Sequence, residues 1–158
     1  MSKKWLIPDD FETDFQVFGI QTNQTDDVVF IFQVNLATGW LLKRCRDIDA
    51  VFQGESICYT LFQRDFEDME ASIHIVQNSA QYLTKSITPS FTLFDEVAVA
   101  PKLLRKYAAY DYFLKIEAED WDSEWIQEFI DPLKSMKSVI NVTELKNLTP
   151  AEKKTLYW

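Results

Sequence analysis

The sequence predicts an α+β fold in which helices pack on one face of a mostly antiparallel sheet. Segments such as "FETDFQVFGI" and "YDYFLKIE" alternate apolar and polar residues with the period of a half-buried strand. The segments "SICYTLFQ" and "ASIHIVQN" flank a short acidic stretch, as the two arms of an antiparallel hairpin do. A helical pattern separates the last two strand patterns, which predicts a strand-helix-strand unit at the C-terminal end.

The N-terminal elements begin with a strand over residues 11–20, followed by a polar turn. The next segment, "VVFIFQVNLATG", fits two structures. Its β-branched and aromatic residues favour a strand, whereas Thr25 or Asp26 can cap a helix and Gly39 can end one. A helix here, followed by the short strand predicted for "WLLKRC", would give the N-terminal end a strand-helix-strand unit as well.

The central hairpin is predicted from its alternating arms, with Ile57, Tyr59 and Leu61 on one face of the first arm. The acidic segment "RDFEDME" forms its turn. Residues 78–107 have weaker patterns, in which "SFTLF" is a candidate strand and the residues around 103–106 predict a short helical segment.

A C-terminal helix is predicted from an apolar stripe with a spacing of four residues. Its members are Trp121, Trp125, Phe129 and Leu133. Asp122 or Ser123 can cap the N-terminus of this helix, and Pro132 should bend or end it near the preceding residue. We expect Trp125 and Phe129 to be core residues.

Two strands surround this helix. The first, "YDYFLKIE", is the clearest in the chain and places Tyr110, Tyr112, Leu114 and Ile116 on one face. The second is "KSVINVTEL". A last helical turn follows, because Thr149 can serve as its cap and proline occupies its first position.

Composition indicates one α+β domain spanning residues 1–158, since a chain of this length can close a single core. The formal net charge of −9 argues against nucleic acid or an anionic membrane as partner. No signal peptide is recognisable, and the longest purely apolar segment, residues 28–32, is far too short to span a bilayer. We therefore expect a cytoplasmic location, in which Cys45 and Cys58 stay reduced.

No catalytic or cofactor-binding set stands out, and we expect neither a cofactor nor a metal. Five acidic residues cluster before the C-terminal helix: Glu117, Glu119, Asp120, Asp122 and Glu124. They lack the central glycine of a calcium loop, and turn and helix-cap chemistry explains them. The only histidine, His74, lies between Ile73 and Ile75, which predicts a surface position on the polar side of its strand.

The candidate partner or pocket surface is the polar face of the "YDYFLKIE" strand. Asp111 and Lys115 are predicted to lie on that face, and Tyr110 and Tyr112 flank Asp111. Charged and aromatic groups in this arrangement suit a pocket or a partner-facing surface. A strand face that is only solvated explains the same pattern.

Three stretches carry a family resemblance: "FETDFQVFGIQTNQTDDVVFIFQVNLATG", "YDYFLKIEAED" and "DSEWIQEFIDPLKSMKSVINV". They resemble the opening strand and helix, the VDY strand and the closing helix and strand of the IPExxxVDY proteins, a small family found in Bacteroidetes. The naming motif survives as Asp111 and Tyr112, whereas Tyr110 replaces the valine, and Pro101 is followed by lysine rather than glutamate. The resemblance implies a helix at residues 26–38 and implies no activity.

These patterns together indicate a cytoplasmic, non-enzymatic binding or interaction protein, whose partner is another protein or a second copy of itself. The alternative is a small-molecule-binding or enzymatic domain with a site assembled from dispersed residues around Asp111 and His74. A third alternative is a subunit that becomes ordered only within a larger complex.

Overall fold

Two antiparallel sheets and three helices make up residues 15–82 and 101–158, which the computed structural model describes. The strands are β1 Phe15–Thr22, β2 Lys43–Arg44, β3 Ile48–Phe52, β4 Glu55–Tyr59, β5 Leu61–Phe66, β6 Ala71–Gln77, β7 Gln81–Tyr82, β8 Tyr112–Ala118 and β9 Val139–Glu144. The helices are α1 Asp27–Thr38, α2 Ser123–Lys134 and α3 Pro150–Thr155. The larger sheet has the order β2-β5-β6-β8-β1-β9, and the smaller one has the order β3-β4-β7. The predicted α+β class with a mostly antiparallel sheet is confirmed.

Apolar clusters cover both faces of the larger sheet. Successive side chains of a strand point to opposite sides, so each strand contributes to both clusters. On the helix side, Ile20 and Leu114 belong to a core cluster shared with α1 and α2. On the other side, which we call the small-sheet side, Val17 and Phe113 belong to a second cluster. That cluster also includes residues of the smaller sheet and of the C-terminal end of the chain.

Helix α1 resolves the ambiguous segment in favour of the helical alternative. The side chain of Asp26 accepts a hydrogen bond from the Val29 N–H at 3.0 Å, which caps the first turn. Gly39 ends the helix with a left-handed φ of 70°, and its N–H donates to the Asn35 carbonyl oxygen. The buried residues of α1 are Phe30, Ile31 and Val34. Tertiary packing thus overrides the strand preference of the β-branched residues.

Helix α2 begins as predicted but buries a different face. Asp122 caps it by accepting from the Trp125 N–H at 2.8 Å, and Pro132 lies within the last turn rather than ending the helix. The buried residues are Ile126, Ile130 and Leu133. Trp125 is 37% exposed, so its predicted core position is wrong. Phe129, half-buried, stacks on the Trp40 ring with centroids 4.7 Å apart.

The spacing of four residues explains this difference. Each step of four advances the position about 40° around an α-helix, because a full turn takes about 3.6 residues. Trp121 precedes the first residue of α2, and two such steps, about 80° in all, separate Trp125 from Leu133. The members of the apolar stripe therefore cannot all point towards the same core. Leu133 is fully buried, whereas Trp125 has rotated towards the rim.

The central hairpin is formed by β5 and β6, with Leu61 opposite Val76 and Phe66 opposite Ala71. Its first arm, however, is not the single strand predicted for "SICYTLFQ". The chain passes from β4 in the smaller sheet to β5 in the larger sheet at Thr60, which is fully buried. No turn residue marks the passage from one sheet to the other in the sequence. Both strands contribute to the same core cluster, so their apolar patterns run together.

Strands β8 and β9 lie on either side of β1, so β8, α2 and β9 form the predicted C-terminal strand-helix-strand unit. Thr149 caps α3 reciprocally with Glu152. Near residues 103–106 the structure has a short 3-10 turn, Arg105–Tyr107. The candidate strand "SFTLF" lies outside the described residues.

Candidate functional site

A buried lysine on strand β8 marks the small-sheet side of the larger sheet. Lys115 is 1% exposed. Its ammonium donates to Glu117 Oε1 at 2.7 Å and to the Leu156 carbonyl oxygen at 3.0 Å. The indole of Trp158 lies over it, with Nζ 4.3 Å from the ring centroid. A carboxylate, a carbonyl and an aromatic face together compensate the loss of water around this charge.

The carboxylate of Glu117 is held from two sides. Oε2 accepts a hydrogen bond from the Ser72 hydroxyl at 3.2 Å, and Oε1 accepts from Lys115. Burial raises the pKa of Glu117, but the hydrogen bond and the charge of Lys115 outweigh it, so this pKa lies below its ordinary value. Glu117 is therefore ionised at neutral pH, and the Lys115 ammonium forms its ion-pair partner.

His74 lies next to Lys115 in the pairing of β6 with β8. It is only 6% exposed, so the predicted surface position is wrong. Within the described residues its Nδ1 atom is enclosed and has no hydrogen-bond partner. Burial and the nearby charge of Lys115 lower the pKa of His74 below its ordinary value of 6.5. The imidazole is therefore neutral at neutral pH.

An open cleft of about 610 Å³ lies against His74 and Glu117. Its lining combines polar, acidic and apolar side chains: Cys45, Arg46, Asp47, Ile48, Leu61, Gln63, Asp65, Ser72, His74, Glu117 and Trp158. In Asp47, Oδ2 accepts from Arg44 at 2.9 Å, whereas Oδ1 is enclosed and, within the described residues, has no partner. Two enclosed polar atoms with unmet hydrogen-bonding capacity, Asp47 Oδ1 and His74 Nδ1, thus belong to residues of one cleft.

The cysteines lie close to this cleft as thiols. Cys45 is half-buried and donates weakly to the Leu61 carbonyl oxygen at 3.5 Å, while Cys58 is buried and lies 3.7 Å from Asp47 Oδ2. Burial raises the pKa of both thiols, and Asp47 raises them further. A raised thiol pKa disfavours the thiolate, which is the nucleophilic form.

The four residues of the predicted surface lie apart. Tyr112, 2% exposed, is on the helix side, where its ring stacks on Phe30 with centroids 4.5 Å apart. Tyr110 packs with the cluster on the small-sheet side. Its ring covers Gly19, where a Cβ atom would lie 2.6 Å from the ring, so this close approach requires glycine.

Asp111 has a hydrogen-bonding role between strand ends. Its Oδ2 accepts from the Thr22 N–H at 2.9 Å, its own N–H donates to Ile20, and its carbonyl oxygen accepts from the Asn78 N–H. It is absent from the lining of the cleft. Of the four predicted residues, only Lys115 lies beside the buried groups described above.

The acidic cluster before α2 is divided among several environments. Asp122 caps α2, and Glu117 pairs with Lys115. Asp120 and Asp122 border a shallow pocket of about 300 Å³, together with Met69, Trp121 and Trp125. Within residues 15–82 and 101–158, no three His, Cys, Asp or Glu side chains are placed to share a metal ion.

Sequence reasoning missed Glu117 as the partner of Lys115, and it did not place Asp47 or Trp158 at a site with His74. One signal was present for the first, because residues i and i+2 of a strand share a face and opposite charges at that spacing can meet. Asp47 and Trp158 reach the cleft through pairing of distant segments, for which the sequence carries no local pattern.

The outer side of α1 is the second surface of interest. Three side chains spaced by four residues form its outer stripe, namely Val28, Phe32 and Leu36, and they are 61%, 61% and 72% exposed. Val29 beside them is 41% exposed. A groove of about 540 Å³ runs along this helix and is lined by Asn23, Gln24, Gln33, Leu36, Ala37, Met136, Lys137 and Ser138. Apolar patches of this kind on a protein surface often mark contact sites.

Comparison with family models, with curated proteins and with solved structures found no match for the chain. None of the helices in the two described ranges is long and apolar enough to cross a membrane.

Proposed function

We propose that the chain is a non-enzymatic binding protein that pairs with a second copy of itself through the outer stripe of α1. The observation that carries this proposal is the exposure of Val28, Phe32 and Leu36 on one helix. An amphipathic surface helix normally turns polar residues outwards, whereas α1 is apolar on both its inner and its outer side. A helix that is apolar all round is usually buried, and a partner would bury it.

Charge supports a second copy as the occupant. Each chain carries a net charge of −9, so two copies repel one another over most of their surfaces. The segment from Val28 to Leu42 contains no ionisable residue, which makes the outer stripe a face on which two acidic copies can approach. A basic partner would instead be drawn to the acidic surfaces.

The geometry of the stripe also suits self-pairing. Val28, Phe32 and Leu36 form a ridge of the i±4 kind, and two such ridges interdigitate in the commonest class of helix packing. A two-fold axis through the stripe would bring identical ridges together, as an isologous interface requires.

The neighbouring strand β9 would enlarge the contact. Stable interfaces bury about 800 Å² per partner, more than one short helix face supplies. β9 is the outermost strand of the larger sheet in the described residues, and its Ile140 is 68% exposed. The hydroxyl of Ser138, the residue before β9, donates to Gln33 of α1 at 2.9 Å, so the two elements adjoin.

Sedimentation equilibrium tests the proposal. Wild type is expected to be dimeric, and Phe32→Glu and Leu36→Glu should each shift it to monomer, because a charge at the stripe would have to be buried without a partner. Val51→Glu is the matched control, since Val51 on β3 is 75% exposed and lies on the other sheet. A monomeric wild type, or dissociation by Val51→Glu as well, would overturn the proposal.

We also propose membership of the IPExxxVDY family and a cytoplasmic location. Asp111 and Tyr112 of the naming motif support the first, together with the match of three segments in order. The acidic composition and the two free thiols support the second. A solved structure of a family member with a different strand order would contradict membership, and fractionation of the native host would test the location.

A further inference from the structure

We propose that the cleft beside His74 binds a small organic molecule carrying a protonated amine. The proposal is independent of self-pairing, because the cleft lies on the small-sheet side and involves no residue of α1. Its volume of about 610 Å³ falls within the range of about 300–1,000 Å³ that is typical of small-molecule sites.

The charges around the cleft favour a cation. Among the described lining residues, Asp47, Asp65 and Glu117 are acidic and Arg46 alone carries a positive charge. Arg46 is exposed, and its guanidinium lies 3.5 Å from the carboxylate of Asp49, a residue that does not line the cleft. Of the basic groups behind the lining, Arg44 binds Asp47 Oδ2 and Lys115 binds Glu117 Oε1. These pairs leave Asp47 Oδ1 and the exposed Asp65 as acceptors for a ligand, although the Gln63 amide also donates to Asp65.

Asp47 Oδ1 and His74 Nδ1 are enclosed atoms that lack a hydrogen-bond donor within the described residues. Asp47 Oδ1 can only accept when the carboxylate is ionised, and a neutral imidazole can accept at Nδ1 when its proton is on Nε2. An ammonium group offers three donors and no acceptor, so it can donate to either of these atoms. A buried water could occupy the same position, since buried polar groups are satisfied either by protein or by ordered water.

The walls of the cleft match an organic cation rather than a metal ion. Three apolar side chains, Ile48, Leu61 and Trp158, provide surface for a carbon skeleton. The Trp158 ring already lies over one ammonium, that of Lys115, and an indole face attracts cations in general. Within the described residues no group of three ligands is placed for a metal.

Entry to the two acceptors requires side-chain movement. Nδ1 of His74 is enclosed, although the residue lines the cleft. Trp158 contacts the imidazole edge-on, with ring centroids 6.1 Å apart, and is 39% exposed. The exposed part of the indole leaves Trp158 room to move aside from His74.

Titration with 2-phenylethylammonium, followed by NMR, tests the proposal. His74 is the only histidine, so the imidazole carbon-bound protons give one unambiguous set of signals. We expect a saturable shift of these signals with the ammonium probe and no comparable shift with 2-phenylethanol or 3-phenylpropionate. The alcohol keeps the ring without the charge, and the carboxylate reverses the charge.

A matched pair of variants locates the site. Asp47→Asn should weaken binding at least tenfold, whereas Asp49→Asn should leave it unchanged, because Asp49 lies two positions away and outside the lining. If Asp47→Asn fails to fold, as judged by circular dichroism, Asp65→Asn replaces it. The proposal is overturned by the absence of a saturable shift, which would leave ordered water as the occupant, by equal binding of the alcohol or carboxylate, or by equal effects of both variants.

Discussion

The ammonium of Lys115 lies 2.7 Å from Oε1 of Glu117, and the two side chains differ in exposure, at 2% and 35%. Because of this difference in exposure, replacing either residue alone should lower stability by a different amount. Glu117→Gln leaves a buried ammonium without its counter-charge and should destabilise the fold by about 3–5 kcal/mol. Lys115→Met leaves a carboxylate that regains water, so its cost should be smaller. Urea unfolding at neutral pH measures both free energies.

The double variant is the control for this pair. Because the buried charge is absent from Lys115→Met/Glu117→Gln, its free energy of unfolding should exceed that of Glu117→Gln alone. Strictly additive losses, or a larger loss in Lys115→Met than in Glu117→Gln, would contradict the burial argument.

His74 should make stability fall in weakly acidic solution. Burial and the charge of Lys115 lower its folded-state pKa, whereas in the unfolded chain it binds a proton near pH 6.5. The stabilising contribution is therefore complete above pH 6.5 and is lost as the pH falls from there through the folded-state pKa. Urea unfolding of wild type from pH 8 to pH 5 should show this loss.

His74→Gln supplies the comparison, because glutamine does not titrate. Its unfolding free energy should depend less on pH than that of wild type over the same range. The pH stays above the ordinary pKa of Glu117, which is 4.5, so that the titration of His74 is separated from that of Glu117. Identical pH dependence in wild type and variant would show that His74 titrates equally in both states.

Local patterns predicted the elements of the fold but not what covers them. The alternation of β8 correctly placed Leu114 and Ile116 on one face, and Asp122 and Thr149 were correct caps. Lys115 was expected on a polar face, yet Leu156, 41 positions later in the chain, closes over it. Period-two patterns identify a polar face, and only tertiary contacts decide whether water reaches it.

In helix α2 as well, the sequence pattern did not identify which side chains are covered, and this difference gives a further prediction. Ile130 is fully buried, whereas the Trp125 indole is 37% exposed. Ile130→Ala should cost about 2–5 kcal/mol, as truncation of a buried isoleucine does, and Trp125→Ala should cost less. Thermal unfolding ranks the two. Glu128→Ala, on the exposed side of the helix, should stay within about 0.5 kcal/mol of wild type. A larger loss in Trp125→Ala than in Ile130→Ala would contradict this ranking and assign Trp125 to the core.

The last prediction concerns Asn78, which is fully buried and attaches the segment before β8 to the sheet. Its Nδ2 donates to the carbonyl oxygens of Tyr107 and Tyr110 at 3.1 and 2.9 Å, and its Oδ1 accepts from the Leu104 N–H at 3.1 Å. Asn78→Asp keeps the shape but replaces both donors with an acceptor, so two carbonyls lose their partner. Each unsatisfied buried group costs about 1–3 kcal/mol.

Two readouts follow from this attachment. Unfolding should show a large loss of stability for Asn78→Asp. Asn141→Asp, at an exposed amide that donates to the Thr143 hydroxyl, should lie within about 0.5 kcal/mol of wild type. Trypsin should also cleave faster after Arg105 or Lys106 in Asn78→Asp, because loss of these bonds frees local opening of the segment. Unchanged cleavage there, together with lower global stability, would mean that Asn78 supports the fold as a whole rather than this segment.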